Sequence, residues 1–138
     1  MIAHLKGKLT YKSPIEIAID VNGVGYQVFV PLSTFYALPE LEEDIFLDIH
    51  THMREESLNL FGFYTTDEKK IFEKLIAINK VGPKLALTIL SGMSPTELFT
   101  TIDSNDIEKL STIPGIGRKT AERLILEMRD KMGGISID

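Results

Sequence analysis

The chain has 138 residues, 43% apolar and 25% charged, enough for one ordinary domain or two small ones sharing a modest core. It has no cysteine, so disulfides and thiolate metal sites are excluded, and no apolar run of about eighteen residues that would span a membrane. The opening Met1-Ile2-Ala3-His4-Leu5-Lys6 lacks the apolar core of a secretory signal, and a cytoplasmic location is expected. The net charge of −5 weighs against nucleic acid, but residues 1–63 hold four basic and nine acidic side chains, whereas 64–138 hold eleven of each. Basic clusters in the second half therefore remain available to phosphate.

In chain order, residues 2–9 predict a first strand. Residues 15–21 largely alternate apolar and polar and predict a second. Asn22-Gly23 is a two-residue hairpin turn whose members both tolerate positive φ, and the return strand covers 24–30. Residues 33–38 suit a short helix. Strands over 44–53 and 58–64 are joined by the charged tip Arg54-Glu55-Glu56-Ser57. Five short strands suit a small barrel of OB-fold type, which removes exposed sheet edges.

From residue 65 the period becomes helical. Thr65-Thr66-Asp67-Glu68 and Ser94-Pro95-Thr96-Glu97 are capping boxes, the second with proline at the first helical position. Gly133-Gly134 is expected to stop the last helix. The expected domains are thus a barrel over 1–64 and an all-helical domain over 65–134, with a linker beginning at 135–138.

The most informative feature is an internal repeat. Shifted by 35 positions, Glu73-Lys74-Leu75 falls on Glu108-Lys109-Leu110, Ile78 on Ile113, Val81-Gly82-Pro83-Lys84 on Ile116-Gly117-Arg118-Lys119, and Ala86 on Ala121. Each copy reads as helix, glycine turn, helix. Glycine just before a helix admits close approach of another backbone. The first amides of that helix have no partner within it and point outward with the positive end of its dipole, where a phosphate oxygen fits. Lys84 and Lys119 follow the two glycines by two residues and add mobile charge. Two such turns predict sequence-independent, salt-sensitive DNA binding.

Leu110-Ser111-Thr112-Ile113-Pro114-Gly115-Ile116-Gly117-Arg118-Lys119-Thr120-Ala121-Glu122-Arg123-Leu124 closely resembles the second helix-hairpin-helix of the RuvA family, the Holliday-junction-binding subunits of bacterial branch-migration complexes. The stretch from Val81 to Ser94 resembles the first. Gly23-Val24-Gly25-Tyr26, Thr34-Phe35-Tyr36 and Leu60-Phe61-Gly62-Phe63 extend the similarity through the barrel. The resemblance implies an OB-fold followed by paired hairpins. It implies a homotetramer, sometimes a pair of tetramers, that holds a four-way junction open and planar for recombination and repair. A RuvB ATPase would drive the DNA, RuvC resolvase is a further partner, and no cofactor or catalytic site is expected. DNA-contacting residues would be Asn79, Lys80, Val81, Gly82 and Lys84 in the first hairpin, and Gly115, Ile116, Gly117, Arg118, Lys119, Thr120 and Arg123 in the second. Glu55 and Glu56, beside Arg54, match an acidic pin at the junction centre.

Two departures stand out. Lys80 replaces the family's usual glycine before Val-Gly-Pro, which strains the turn and adds a cation beside Asn79. The family also continues into a third, motor-binding domain, so a fragment of a longer protein is expected.

The competing enzyme reading is a helix-hairpin-helix glycosylase/lyase with Lys119 as the amine nucleophile, which also needs a carboxylate and a pocket for a flipped base. A single-strand binder would use barrel aromatics such as Phe35, Tyr36, Phe46, Phe61, Phe63 and Tyr64, whose spacing suits a core equally well. His50 and His52 share a strand face but lack a third metal ligand in the motif. No phosphate-binding Gly-x-x-x-x-Gly-Lys-Ser/Thr loop is present.

Overall fold

The structure is a computed structural model and describes residues 1–131. The expected Gly133-Gly134 stop and the linker from 135 lie outside those residues. The chain divides into two compact units that meet between Lys69 and Lys70.

The first unit is a closed barrel of β1 (His4–Lys12), β2 (Glu16–Val21), β3 (Val24–Phe29), β4 (Asp44–Arg54) and β5 (Ser57–Phe63), in the order β1-β2-β3-β5-β4. All neighbours are antiparallel except β3 and β5, which are parallel and joined at the single register pair Phe29–Phe61. This is the five-stranded barrel expected from the alternation. Ile17 and Ile19 on β2, and Ile45, Leu47 and Ile49 on β4, point inward and are buried with Leu5, Leu9, Val28 and Leu60. Each such aliphatic side chain contributes about 1.5–3 kcal/mol on leaving water.

The Asn22-Gly23 turn has both residues at positive φ, 53° and 93°. The Asp20 carboxylate accepts the Gly23 amide at 2.7 Å. β1 differs from its expected bounds: it runs on through Thr10, Tyr11 and Lys12. Its register slips between Leu9 and Tyr11, so the apolar alternation that marks the strand in sequence breaks while the pairing continues. The short helix α1 (Leu32–Tyr36) starts one residue before the expected stretch and ends two before its close.

Five helices follow: α2 (Thr66–Ile76), α3 (Pro83–Gly92), α4 (Pro95–Asp103), α5 (Ile107–Leu110) and α6 (Arg118–Lys131). Both expected caps are formed, with each glutamate side chain reaching back to the cap hydroxyl rather than to the cap amide. Thr65 accepts the Glu68 amide at 3.1 Å, and the Glu68 carboxylate accepts the hydroxyls of Thr65 at 3.1 Å and Ser33 at 2.6 Å. Those bonds satisfy a carboxylate that is only 7% exposed. Ser94 accepts the Glu97 amide at 3.1 Å, with Pro95 at the first turn.

Candidate nucleic-acid interface

The sequence repeat is also a repeat of backbone hydrogen bonds. In the first hairpin Ile78 donates to the Leu75 carbonyl, Val81 to Ile78 and Ala86 to Gly82, each at 3.0 Å. Thirty-five residues on, Ile113 donates to Leu110 at 3.1 Å, Ile116 to Ile113 at 3.1 Å and Ala121 to Gly117 at 2.9 Å. The side chains that hold the two turns repeat likewise. Leu75 and Leu110, Ile78 and Ile113, Val81 and Ile116, Ala86 and Ala121, Ile89 and Leu124, Leu90 and Ile125, and Met93 and Met128 are buried in pairs.

Gly82 and Gly117 therefore occupy the same place, the last residue before the second helix of each hairpin. Gly82 has φ −91°, a conformation open to any residue, and neither glycine lies in the left-handed region. A Cβ built on either would meet nothing within 4 Å. Neither backbone geometry nor internal packing calls for glycine here. What glycine leaves is open space over helix N-terminal amides, and Gly82 has no side-chain cap of its own.

The slot 35 residues apart at Lys80 and Gly115 behaves differently. Both residues have positive φ, 72° and 89°. Glycine takes that conformation without strain, whereas a residue with a Cβ carries a cost of about 1–2 kcal/mol. The strain expected at Lys80 is thus present, in a turn whose hydrogen bonds are intact.

The helical unit brings the two hairpins together around a groove of about 170 Å³. Asn79, Lys80 and Val81 line it from the first turn, and Lys119, Thr120 and Arg123 from the second. Three cations therefore border one small cavity, and no carboxylate is among its lining residues. Lys80, Lys119 and Arg123 are exposed, as is Lys84 on the first turn of α3. Among the described residues no carboxylate lies within ion-pair distance of Lys84 or Lys119, while Arg118 faces Glu122 at 3.3 Å. Gly82, Lys84, Gly115, Gly117 and Arg118 do not line the groove. The Val81 and Ile116 side chains are buried, and their amides are already given to Ile78 and Ile113. Ile78 and Leu124, outside the expected contact set, complete the groove's lining, and Leu85 Cδ1 would lie 3.4 Å from a Cβ on Gly115. The repeat itself was the signal for the first two.

In the barrel, Glu55 and Glu56 form the two-residue turn between β4 and β5, with Arg54 paired to Ser57 at its base. Glu55, Glu56 and Arg54 are all exposed. The Arg54 Nε donates to His52 Nε2 at 3.3 Å. Burial, then the Arg54 charge and then His50 hold the His52 imidazole below its ordinary value. No group of three or more candidate metal ligands occurs among the described residues. No described helix is long and apolar enough to cross a membrane.

A five-stranded barrel followed by a tandem of helix-hairpin-helix turns, with open glycines and unpaired lysines at the helix starts, defines a class: helix-hairpin-helix DNA-binding proteins. Residues 1–62 match the family model for the RuvA N-terminal domain, and residues 72–130 match the model for the SAM-like helix-hairpin-helix tandem. The chain belongs to the RuvA family. It is 53% identical over 132 residues to the Holliday junction branch migration complex subunit RuvA of Syntrophobacter fumaroxidans, covering 96% of this chain and 67% of that one. The protein of the same name from Geobacter sulfurreducens is also 53% identical, and that of Geobacter sp. strain M21 is 54% identical, each with 66% of its length covered. The chain thus spans about two thirds of the curated relatives it matches.

Proposed function

We propose that this chain binds four-way junction DNA without sequence specificity and, as a homotetramer, holds it open for branch migration in recombination and repair. The observation that carries the reading is the pair of turns with matching hydrogen bonds in which glycine leaves open space at the helix start beside Lys84 and Lys119. Phosphate oxygens accept from those amides, and the lysines release counterions. One pair of hairpins reaches one short stretch of duplex, so the four arms of a junction call for four copies. Multivalency then supplies the affinity that a chain of net charge −5 would lack. Glu55 and Glu56 act as the pin, repelling phosphate from the point where strands exchange partners. Work on the DNA is done by a RuvB-type ATPase, and a RuvC-type resolvase can follow. The chain contributes no catalytic group.

The test is a gel-shift series on four-way, duplex and single-stranded DNA, with light scattering on the same samples. The expected result is a tetramer with clear preference for the four-way substrate and indifference to arm sequence. Glu55→Gln with Glu56→Gln should bind at least as tightly but lower the junction-to-duplex ratio at fixed salt. A monomer in both the presence and absence of junction, or equal affinity for duplex, contradicts the reading.

A further inference from the structure

The β4–β5 ribbon continues past the barrel, and its far end is two-faced. Thr51, paired with Leu60, is the last inward residue of the barrel that is buried. Its hydroxyl donates to the Ile2 carbonyl at 2.8 Å and accepts the Ile2 amide at 3.0 Å, which fastens the ribbon at that level. The next pair on the same face is Met53–Leu58. Met53 is 61% exposed and Leu58 53% exposed, so neither closes the core beneath them. The opposite face carries His52 and Asn59, with Arg54 turned onto His52. At the very end stand Glu55 and Glu56. A solvent-facing strand end would ordinarily be polar, and two adjacent exposed aliphatic side chains need an occupant.

We propose that Met53 and Leu58 form an apolar wedge that contacts nucleobase faces at the strand-exchange point of junction DNA, an inference that rests on the function proposed above. The charges at the tip select this occupant. Carboxylates two residues away repel phosphate, so this surface takes the uncharged parts of DNA at low cost, and of those the base offers the broad apolar face that two aliphatic side chains can cover. At an exchange point the stack is already interrupted, and a base face there has lost a neighbour. Leucine and methionine serve as wedges of this kind where proteins part base steps, at a cost of a few kcal/mol per unstacked step. The division of labour follows from geometry: the acidic turn keeps the backbone out, and the apolar pair receives the bases that remain.

The experiment uses this chain at saturation on a four-way junction carrying 2-aminopurine at the exchange point, whose fluorescence rises when the base leaves its stack. The parent should raise the signal about twofold, and a probe in the middle of an arm should stay silent. Met53→Ser with Leu58→Ser should keep junction affinity within about threefold, because the hairpins are intact, yet lose about half of the rise or more. Met53→Leu with Leu58→Met should retain it. Leu58→Thr, suited to an exposed strand, guards against a folding defect and should lose part of the rise. A full rise in the serine variant overturns the proposal, and so does loss of its oligomer, which would make the pair a subunit contact. A parent that prefers junction to duplex but gives no rise overturns the wedge alone. A parent with no preference for junction overturns the wedge together with the reading beneath it.

Discussion

The two hairpins are the same turn built from different materials. Their three backbone hydrogen bonds and their buried side chains correspond at a constant offset, yet the left-handed slot holds Lys80 in one and Gly115 in the other. The first hairpin also starts from the eleven-residue helix α2, the second from the four-residue α5. The difference teaches that the turn is held by its buried apolar residues and its amide-to-carbonyl bonds. Glycine at the left-handed slot lowers strain but does not create the fold. Glycine at the helix start is another matter. Positions 82 and 117 are alike in both copies, and there neither positive φ nor a packed neighbour calls for glycine.

The largest expected effect tests that distinction. Gly82→Val with Gly117→Val fills the open space over both helix starts. Bonds to charged groups are worth about 1.5–3 kcal/mol each, so junction affinity should fall about a hundredfold or more. Folding should lose no more than about 1 kcal/mol per site, the scale of a cap exchange. A melting curve beside a binding isotherm separates the two, and affinity that survives would show that no backbone approaches these glycines.

Removing charge rather than space should act more gently. Lys84→Ala with Lys119→Ala should weaken binding and reduce the slope of log affinity against log salt by about one per lost phosphate contact. An unchanged slope would mean that the two ammonium groups stay in water when DNA binds.

Exchanging the odd residue sharpens the comparison further. Lys80→Gly should stabilise the protein by about 1 kcal/mol by relieving the left-handed strain. It should also shorten the salt slope, because the groove shared with Lys119 and Arg123 loses one of its cations. Gly115→Lys should do the reverse, costing stability and adding charge. Equal melting temperatures for all three proteins would contradict the assignment of strain to position 80.

The smallest effect separates the hairpins from the barrel. The folded state holds His52 below its ordinary value of 6.5, so it disfavours the imidazolium. Stability is then complete above that value and declines as pH falls through it, because the unfolded chain takes up the proton more readily. Melting temperature should drop slightly on acidification, His52→Gln should flatten the trend, and binding by the hairpins should follow neither.

Much of this was legible in the sequence because it depends on local pattern. The barrel strands show inward Ile17, Ile19, Ile45, Leu47 and Ile49 at period two. The repeat exposes both turns, and the departure at Lys80 marks the strained position. What could not be read depends on distant chain segments or on breaks in the pattern. The sequence pattern ends β1 at Leu9 because the bulge falls where the apolar alternation stops. The groove pairing Lys80 with Lys119 and Arg123 joins residues about forty positions apart, and the repeat does not say how its copies pack. Glu68 is read from sequence as a capping partner alone, yet it also accepts from Ser33, on a different element. The exposure of Met53 and Leu58 is invisible to a period-two pattern, which continues past the level where the barrel interior stops.

The single parallel pair that closes the barrel has a consequence for motion. β4 is laced to β1 over five consecutive register pairs, from His4–Asp48 to Lys8–Asp44, whereas β5 and β3 share the one register pair Phe29–Phe61. Local opening takes the path that breaks the fewest bonds. Amide hydrogen exchange should therefore begin along the β3–β5 seam, well before the β1–β4 ladder gives way. The ribbon that carries Glu55 and Glu56 is thus paired more extensively along β4 than along β5. Exchange at its acidic end should accordingly run ahead of the β1–β4 ladder while the rest of the barrel stays folded.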